Sequence, residues 1–229
     1  MKYPEKRIKS INDYFQKVNQ EFINTRLKLF EHSYKSERAN EFFQHGFMRR
    51  YYLISHCIER IFEIYPPSRT EILKEEERGD ITAFLQVIYI NIYGAIDNLA
   101  WIVNFEKNIG LEKKEKGKIN LFNKEINKYF TEDFNDYLKN NKEGGFKNWY
   151  DTFCKDFRHS LGHRIPLYVP PFGVDINNGY TKYVLPMFTH SYIEDSKKMF
   201  LHEQILCDFA LLTEIINKFV IGFKQDEEP

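Results

Sequence analysis

A long apolar stretch near the middle of the chain, from Phe84 to Phe105, limits the fold to a few possibilities. Apolar residues recur there at helical spacing and also occupy other sides, which predicts a helix buried on most of its faces. Asp80 is the predicted N-cap of this helix. The main seam consists of Ile81, Leu85, Ile88, Ile92, Leu99 and Ile102.

The same stretch is the only one long enough to be weighed as a membrane span. It carries polar side chains that are costly in hydrocarbon, namely Gln86, Asn91, Asp97, Asn98 and Asn104. We therefore expect a core helix of a soluble protein with no membrane partner. The residues from Met1 to Arg7 lack the apolar run of a signal peptide, so a cytoplasmic location is expected.

Helical periodicity elsewhere predicts an all-α, up-and-down bundle. A short helix is also expected from Thr131, because Glu132 and Asp133 place acids in its first turn. Pro66-Pro67 and Gly144-Gly145 are predicted breaks. The long predicted helices span residues 5–32, 37–65, 80–105, 146–163 and 194–223.

Residues 165–186 form the one region predicted to be irregular or β-like. Pro166 ends a helix, Pro170-Pro171 prevents an immediate restart, and Asn177-Asn178-Gly179 is typical of a turn, so a short β-hairpin is expected. The length of 229 residues suits one domain. We divide residues 1–229 into a core at about 80–223 and an N-terminal helical extension at about 5–65.

The 33 Lys and Arg residues balance the 33 Asp and Glu residues, so no net charge attracts the whole protein to nucleic acid or to an anionic membrane. A lysine-rich run from Lys107 to Lys124 is either a solvated loop or a local RNA-binding patch.

Aromatic residues reach 17%, which favours thick helix packing and an interface with a second subunit. Cys57, Cys154 and Cys207 form no CxxC pair, so reduced, buried thiols are expected.

The sharpest chemical signal is the segment from Arg158 to Arg164, which holds two arginines and two histidines. It suits a helix C-terminus, where cations are favourable. It also suits a metal site, because His159 and His163 are four residues apart, although no third ligand is evident. A third interpretation is acid–base chemistry on a phosphodiester, with Arg158 binding phosphate and His163 moving a proton. Five residues turn a helix by roughly 140° past a whole turn, so the two side chains converge only if Arg158 curls over or if the helix tightens near Gly162.

The segment Arg158-His159-Ser160-Leu161-Gly162-His163 resembles the R-x4-6-H signature of HEPN proteins, whose arginine is often followed by Asn, Asp or His. The position late in a bundle helix, with a long helix after it, is also similar. The upstream block from Tyr93 to Ala100 resembles a HEPN helix with a polar residue on its inner side. The resemblance implies a helical bundle that forms a homodimer, with the two motifs facing a shared cleft.

For active members the resemblance implies a metal-independent endoribonuclease without a cofactor. Arg158 would bind the scissile phosphate, His163 would act as general base or acid, and His159 would orient His163 or touch the phosphate. We further expect Asp97 to pair with Arg158 or His163, because a lone carboxylate in an apolar helix needs a partner; a structural Lys or Arg is the alternative.

Asn98 is a supporting candidate at this site, together with Asn91 seven residues away; both are equally explained by hydrogen bonds to a neighbouring helix. Arg164 and Tyr168 lie beside the motif as candidates for RNA contact.

Three hypotheses follow. The first is a HEPN-type ribonuclease, as a toxin or phage-defence effector with an antitoxin protein as a possible partner. The second is a HEPN-like module that binds RNA, a nucleotide or a protein without catalysis. The third is a structural helical protein in which the motif caps a helix. The sequence contains no P-loop, GxGxxG or GxSxG motif that would point to another enzyme class.

Overall fold

The computed structural model describes residues 3–114, 116–170, 173–174, 181–182, 186–189 and 199–225. Within these residues the protein is an all-α bundle with short antiparallel strand pairs, which confirms the predicted fold class with a hairpin insert. The helices are α1 (Glu5–Phe30), α2 (Glu37–Glu41), α3 (Met48–Ile64), α4 (Glu75–Glu106), α5 (Leu111–Lys114), α6 (Lys124–Asn127), α7 (Glu132–Lys139), α8 (Phe146–Trp149), α9 (Lys155–His163) and α10 (Leu201–Gly222).

Two π-helical segments interrupt otherwise continuous helices. The first π segment, Phe42–Phe47, joins α2 to α3, and the second π segment, Tyr150–Cys154, joins α8 to α9. The predicted helices at 37–65 and 146–163 therefore exist, but each contains one widened turn. Such turns occur often at functional sites.

The long helix α4 lies at the centre of the bundle and packs against α2, α3, α9 and α10. Every residue of its predicted seam is buried, from Ile81 to Ile102. By length and composition alone α4 could cross a membrane, but its packing is that of a core helix and agrees with a soluble protein. The cytoplasmic location stays a prediction.

The predicted start of α4 at Asp80 is wrong, because the helix begins five residues earlier at Glu75. The Glu77 side chain accepts a hydrogen bond from the Lys74 backbone N–H at 2.8 Å and binds Arg69 at 2.7 Å. This cap and the acids of the first turn stabilise the positive end of the helix. The short helix expected from Thr131 is α7, which has acids in its first turn; Thr131 is its N-cap, since the Thr131 Oγ1 accepts from the Phe134 N–H.

The predicted start of the last helix also needs correction. Met199–Phe200 is a strand (β4) that pairs with Met187–Phe188 (β3), so α10 begins only at Leu201. Gly173–Val174 (β1) pairs antiparallel with Thr181–Lys182 (β2), within the predicted hairpin region. The predicted turn at 177–179 and Pro171 lie outside the described residues.

Burial along α1 does not follow hydrophobicity alone, and the expectation about the thiols is corrected in part. Leu27 and Phe30 of α1 are 61% and 56% exposed, because the helix packs through Thr25 and Leu29. Cys57 and Cys154 are buried thiols, whereas Cys207 is exposed.

Candidate functional site

The helix that carries the motif, α9, is anchored to the bundle through one face. Phe157 and Ser160 are buried there, and the Phe157 ring lies 4.6 Å from that of Tyr89 in α4. The Ser160 hydroxyl donates to the Asp156 carbonyl oxygen at 3.0 Å, while the Arg164 guanidinium donates to the Asp156 carboxylate at 3.2 Å. These contacts fix the direction of the residues between them.

Arg158 is half-buried against α4. Its guanidinium carbon lies 5.4 Å from the centre of the Tyr93 ring, a cation–π distance. Tyr93 in turn stacks on Tyr150 of the second π segment, with centroids 5.8 Å apart. Within the described residues no carboxylate forms an ion pair with Arg158, so its positive charge is not cancelled by direct contact.

Asp97 is the half-buried carboxylate of α4 next to Arg158. Burial raises the pKa of Asp97 to about 6, and the charges of Arg158 and Arg50 oppose that rise. Asp97 thus lies near Arg158 but forms no ion pair with Arg158 or His163, so the expected pairing is not formed. A second arginine, Arg50, also lies near it and was not predicted from the sequence. No hydrogen bond reaches Asp97 from the described part of the chain.

The two histidines lie towards the exposed end of α9. Their ring centroids are 6.1 Å apart; His159 is half-buried and His163 is exposed. Partial burial, with the nearby charges of Arg158 and Lys155, lowers the pKa of His159 and favours its neutral form. No hydrogen bond or ring contact joins the Arg158 and His163 side chains, which agrees with their angular separation on the helix.

Arg50 of α3 is the residue that the sequence reasoning missed. Its Nε donates to Asn98 Oδ1 at 3.2 Å and its Nη1 donates to Asn91 Oδ1 at 2.9 Å. A Cβ atom on Gly94 would lie 2.7 Å from the guanidinium carbon, so the glycine leaves room for it. The available signal was the pattern of Asn91, Gly94 and Asn98 on one face of an otherwise apolar helix.

The remaining candidates have structural contacts. Arg164 is exposed and paired with Asp156, and the Tyr168 backbone forms a two-way bridge with Thr189. Next to Tyr168, the Leu167 carbonyl accepts from Gln86 Nε2 at 2.8 Å, so the chain after the motif is tied back to α4. The structure does not bring Tyr168 into a described contact with Arg158 or His163.

Among the described residues no group of three or more His, Cys, Asp and Glu side chains is placed to hold a metal ion. At the start of the lysine-rich run, Lys107 donates to the Gln225 carbonyl oxygen at 2.9 Å and lies 5.2 Å from the Tyr129 ring centre. Lys107 therefore ties the run to the chain end, whereas Lys113, Lys114 and Lys124 are exposed.

No protein-family model matches this chain, and neither a curated protein nor a solved structure is similar to it.

Proposed function

We propose that this protein is a metal-independent endoribonuclease of HEPN type. The observation that supports this most is the composition of α9. Its inner side carries Arg158, which is held by an aromatic ring and forms no ion pair with the described residues, and its outer end carries His159 and His163. An arginine that keeps its charge suits phosphate, and a histidine near solvent suits proton transfer.

In the proposed reaction Arg158 binds the scissile phosphate and offsets the negative charge of the pentavalent transition state. His163 accepts the proton of the substrate's 2′-hydroxyl while the bond between O2′ and phosphorus forms. The bond between phosphorus and O5′ then breaks. The leaving oxygen takes up a proton from solvent, to which His163 releases the proton that it accepted. The products are a 2′,3′-cyclic phosphate and a 5′-hydroxyl. No protein nucleophile takes part.

The proposal includes a homodimer in which two copies of α9 line a shared cleft. Because Arg158 and His163 do not converge within one chain, a partner copy would supply the complementary group to each phosphate. Exposed groups at this end of α9 support the idea, since Ile165 is 53% exposed beside His163. A toxin or defence role, with an antitoxin protein that covers this surface, is part of the same proposal.

The test is cleavage of RNA in EDTA by the wild type, Arg158→Ala and His163→Ala. We expect cyclic-phosphate ends from the wild type and a loss of about 10²-fold or more in each variant. Arg49→Ala and His56→Ala are matched controls, because both residues are exposed on α3. Loss of activity in the controls, or cleavage that survives both motif variants, would contradict the proposal. Light scattering at micromolar concentration tests the dimer.

A second candidate is a HEPN-like module that binds RNA, a nucleotide or a protein without catalysis. The observation in its favour is the same separation: Arg158 lies against the bundle while His163 is exposed. This candidate predicts RNA that is bound but not cut, with affinity that falls steeply with salt and falls again in Arg158→Ala.

A further inference from the structure

The guanidinium of Arg50 occupies a seat built by one face of α4. Asn91 and Asn98 supply their amide oxygens, and Gly94 between them supplies the space. The Asn91 amide is itself fixed, because its Nδ2 donates to the Val87 carbonyl oxygen at 2.8 Å. Its oxygen is thereby directed at Arg50. Three positions of α4 are thus used to hold one arginine side chain in a single place.

Both hydrogen-bond partners of Arg50 are neutral. No carboxylate among the described residues lies within ion-pair distance of Arg50, so no direct partner offsets its positive charge. Within the described part of the chain, Arg50 uses only Nε and Nη1 as donors, which leaves Nη2 for a further acceptor. An arginine with a structural role alone is better satisfied by a carboxylate, whereas this arrangement preserves a directed positive charge.

Arg50 and Arg158 approach the same carboxylate from two sides. At about 100° per residue, Asp97 lies roughly 60° from Gly94 and roughly 40° from Tyr93 around α4. Arg50 lies over Gly94 and Arg158 lies over Tyr93, and the charges of both act on Asp97. Two cations and one carboxylate leave a net positive charge on this strip of α4.

We propose that Arg50 is a second phosphate-binding arginine, which binds a phosphate group of the RNA strand whose scissile phosphate is bound by Arg158. This inference rests on the proposed function and adds a residue from α3 to the site. The seat on α4 fixes the spacing between the two arginines, and so selects a strand with phosphates at matching positions. Asp97 lies between them and disfavours anions that contact only one arginine.

The test measures binding of a short 2′-O-methyl RNA, which has no 2′-hydroxyl to attack, by fluorescence anisotropy at several salt concentrations. We expect Arg50→Gln to weaken binding about tenfold and to reduce the slope of log K against log [salt] by about 0.7. Arg49→Gln is the matched control, since it removes the same charge from the adjacent, exposed position. It should change binding by less than about twofold.

Gly94→Ala is a second variant that keeps every charge. Its new methyl group would displace the guanidinium from the α4 seat, because the end of the Arg50 side chain is what it meets. We expect weaker RNA binding with a melting temperature within a few degrees of the wild type, because the helix propensity of alanine offsets part of the cost of the lost Asn91 and Asn98 hydrogen bonds. This variant also decides the matter if Arg50→Gln fails to fold.

The outcomes separate the two proposals. RNA that is bound through Arg50 but never cut would support this inference and defeat the nuclease proposal. RNA that is cut normally by Arg50→Gln and Gly94→Ala, with unchanged binding and salt slope, would overturn the inference alone. If the wild type neither binds nor cuts RNA, both are wrong.

Discussion

Asp208 of α10 and Asp97 of α4 are carboxylates inside the same bundle, but their surroundings differ. Asp208 is fully buried and accepts hydrogen bonds from Tyr89 Oη at 2.6 Å, Trp149 Nε1 at 2.7 Å and Gln204 Nε2 at 2.8 Å. In the described residues Asp97 accepts none. Asp208 is therefore a structural joint between helices, whereas Asp97 is left with unused acceptor capacity.

The charges around the two carboxylates differ in the same way. Burial raises the pKa of Asp208, although its three donors act against the rise. Burial also raises the pKa of Asp97, and there the opposing groups are the cations Arg158 and Arg50. Donors in fixed hydrogen bonds hold the Asp208 carboxylate in one arrangement. Arg158 and Arg50 form no hydrogen bond with Asp97, so these arginines can bind another anion.

The comparison predicts unequal effects of one substitution at the two positions. Asp208→Ala leaves the Tyr89 and Trp149 donors buried without an acceptor, and should lower the free energy of unfolding by roughly 3–5 kcal/mol. Asp97→Ala should not lower it, because burial disfavours the ionised Asp97 carboxylate and no hydrogen bond from the described residues is lost. Urea unfolding at pH 7 measures both. Similar losses of unfolding free energy at the two positions would contradict the structural role of Asp208 and the assignment of Asp97 to the candidate site.

A second prediction concerns pH. With a folded-state pKa of about 6 against an ordinary value of 3.8, Asp97 holds its proton longer in the folded state than in the unfolded state. Its contribution to stability therefore falls as pH rises from about 4 to about 6, by about 3 kcal/mol, and is constant above that range. Asp97→Asn cannot titrate, so its stability relative to the wild type should increase over this interval.

Buried His202 works in the opposite direction, since its pKa is lowered to about 4 and stability is lost as pH falls below about 6.5. This loss occurs in both proteins and cancels in the difference between them. Asp13→Asn, at an exposed position of α1, is the control. A difference between Asp97→Asn and wild type that does not vary with pH would show that Asp97 is solvated.

The smallest expected effect concerns the contact between Arg158 and the Tyr93 ring beneath it. In a double-mutant cycle of Tyr93→Leu and Arg158→Ala, we expect a coupling free energy of about 0.5–1 kcal/mol, the usual size of a cation–π contact. Thermal unfolding of the four proteins provides the measurement. Strictly additive losses would mean that the ring does not hold the arginine in place.

Periodicity was sufficient to predict the centre of this molecule. The seam of α4, the breaks at Pro66-Pro67 and Gly144-Gly145, and the short helix at Thr131 all follow from local rules, and the structure confirms them. The motif in α9 was visible because Arg and His stand close together in sequence. Asp97 was identifiable as a lone charge in an apolar helix.

Arg50 could not be found in the same way, because it is 48 residues from Asn98 and only tertiary packing brings them together. The start of α4 was missed since the cap uses Glu77, a side chain three residues inside the helix. The late start of α10 depends on the pairing of β3 with β4, a contact between segments that local periodicity cannot register.

The two π segments have a consequence for the angular register of the site. An extra residue in a helical turn rotates everything beyond it by roughly 100° relative to an uninterrupted α-helix. Arg50 lies just after the first π segment and Arg158 just after the second, so each arginine owes its direction towards α4 to an irregularity upstream. Deleting a single residue from either segment would keep the helix but turn its arginine away.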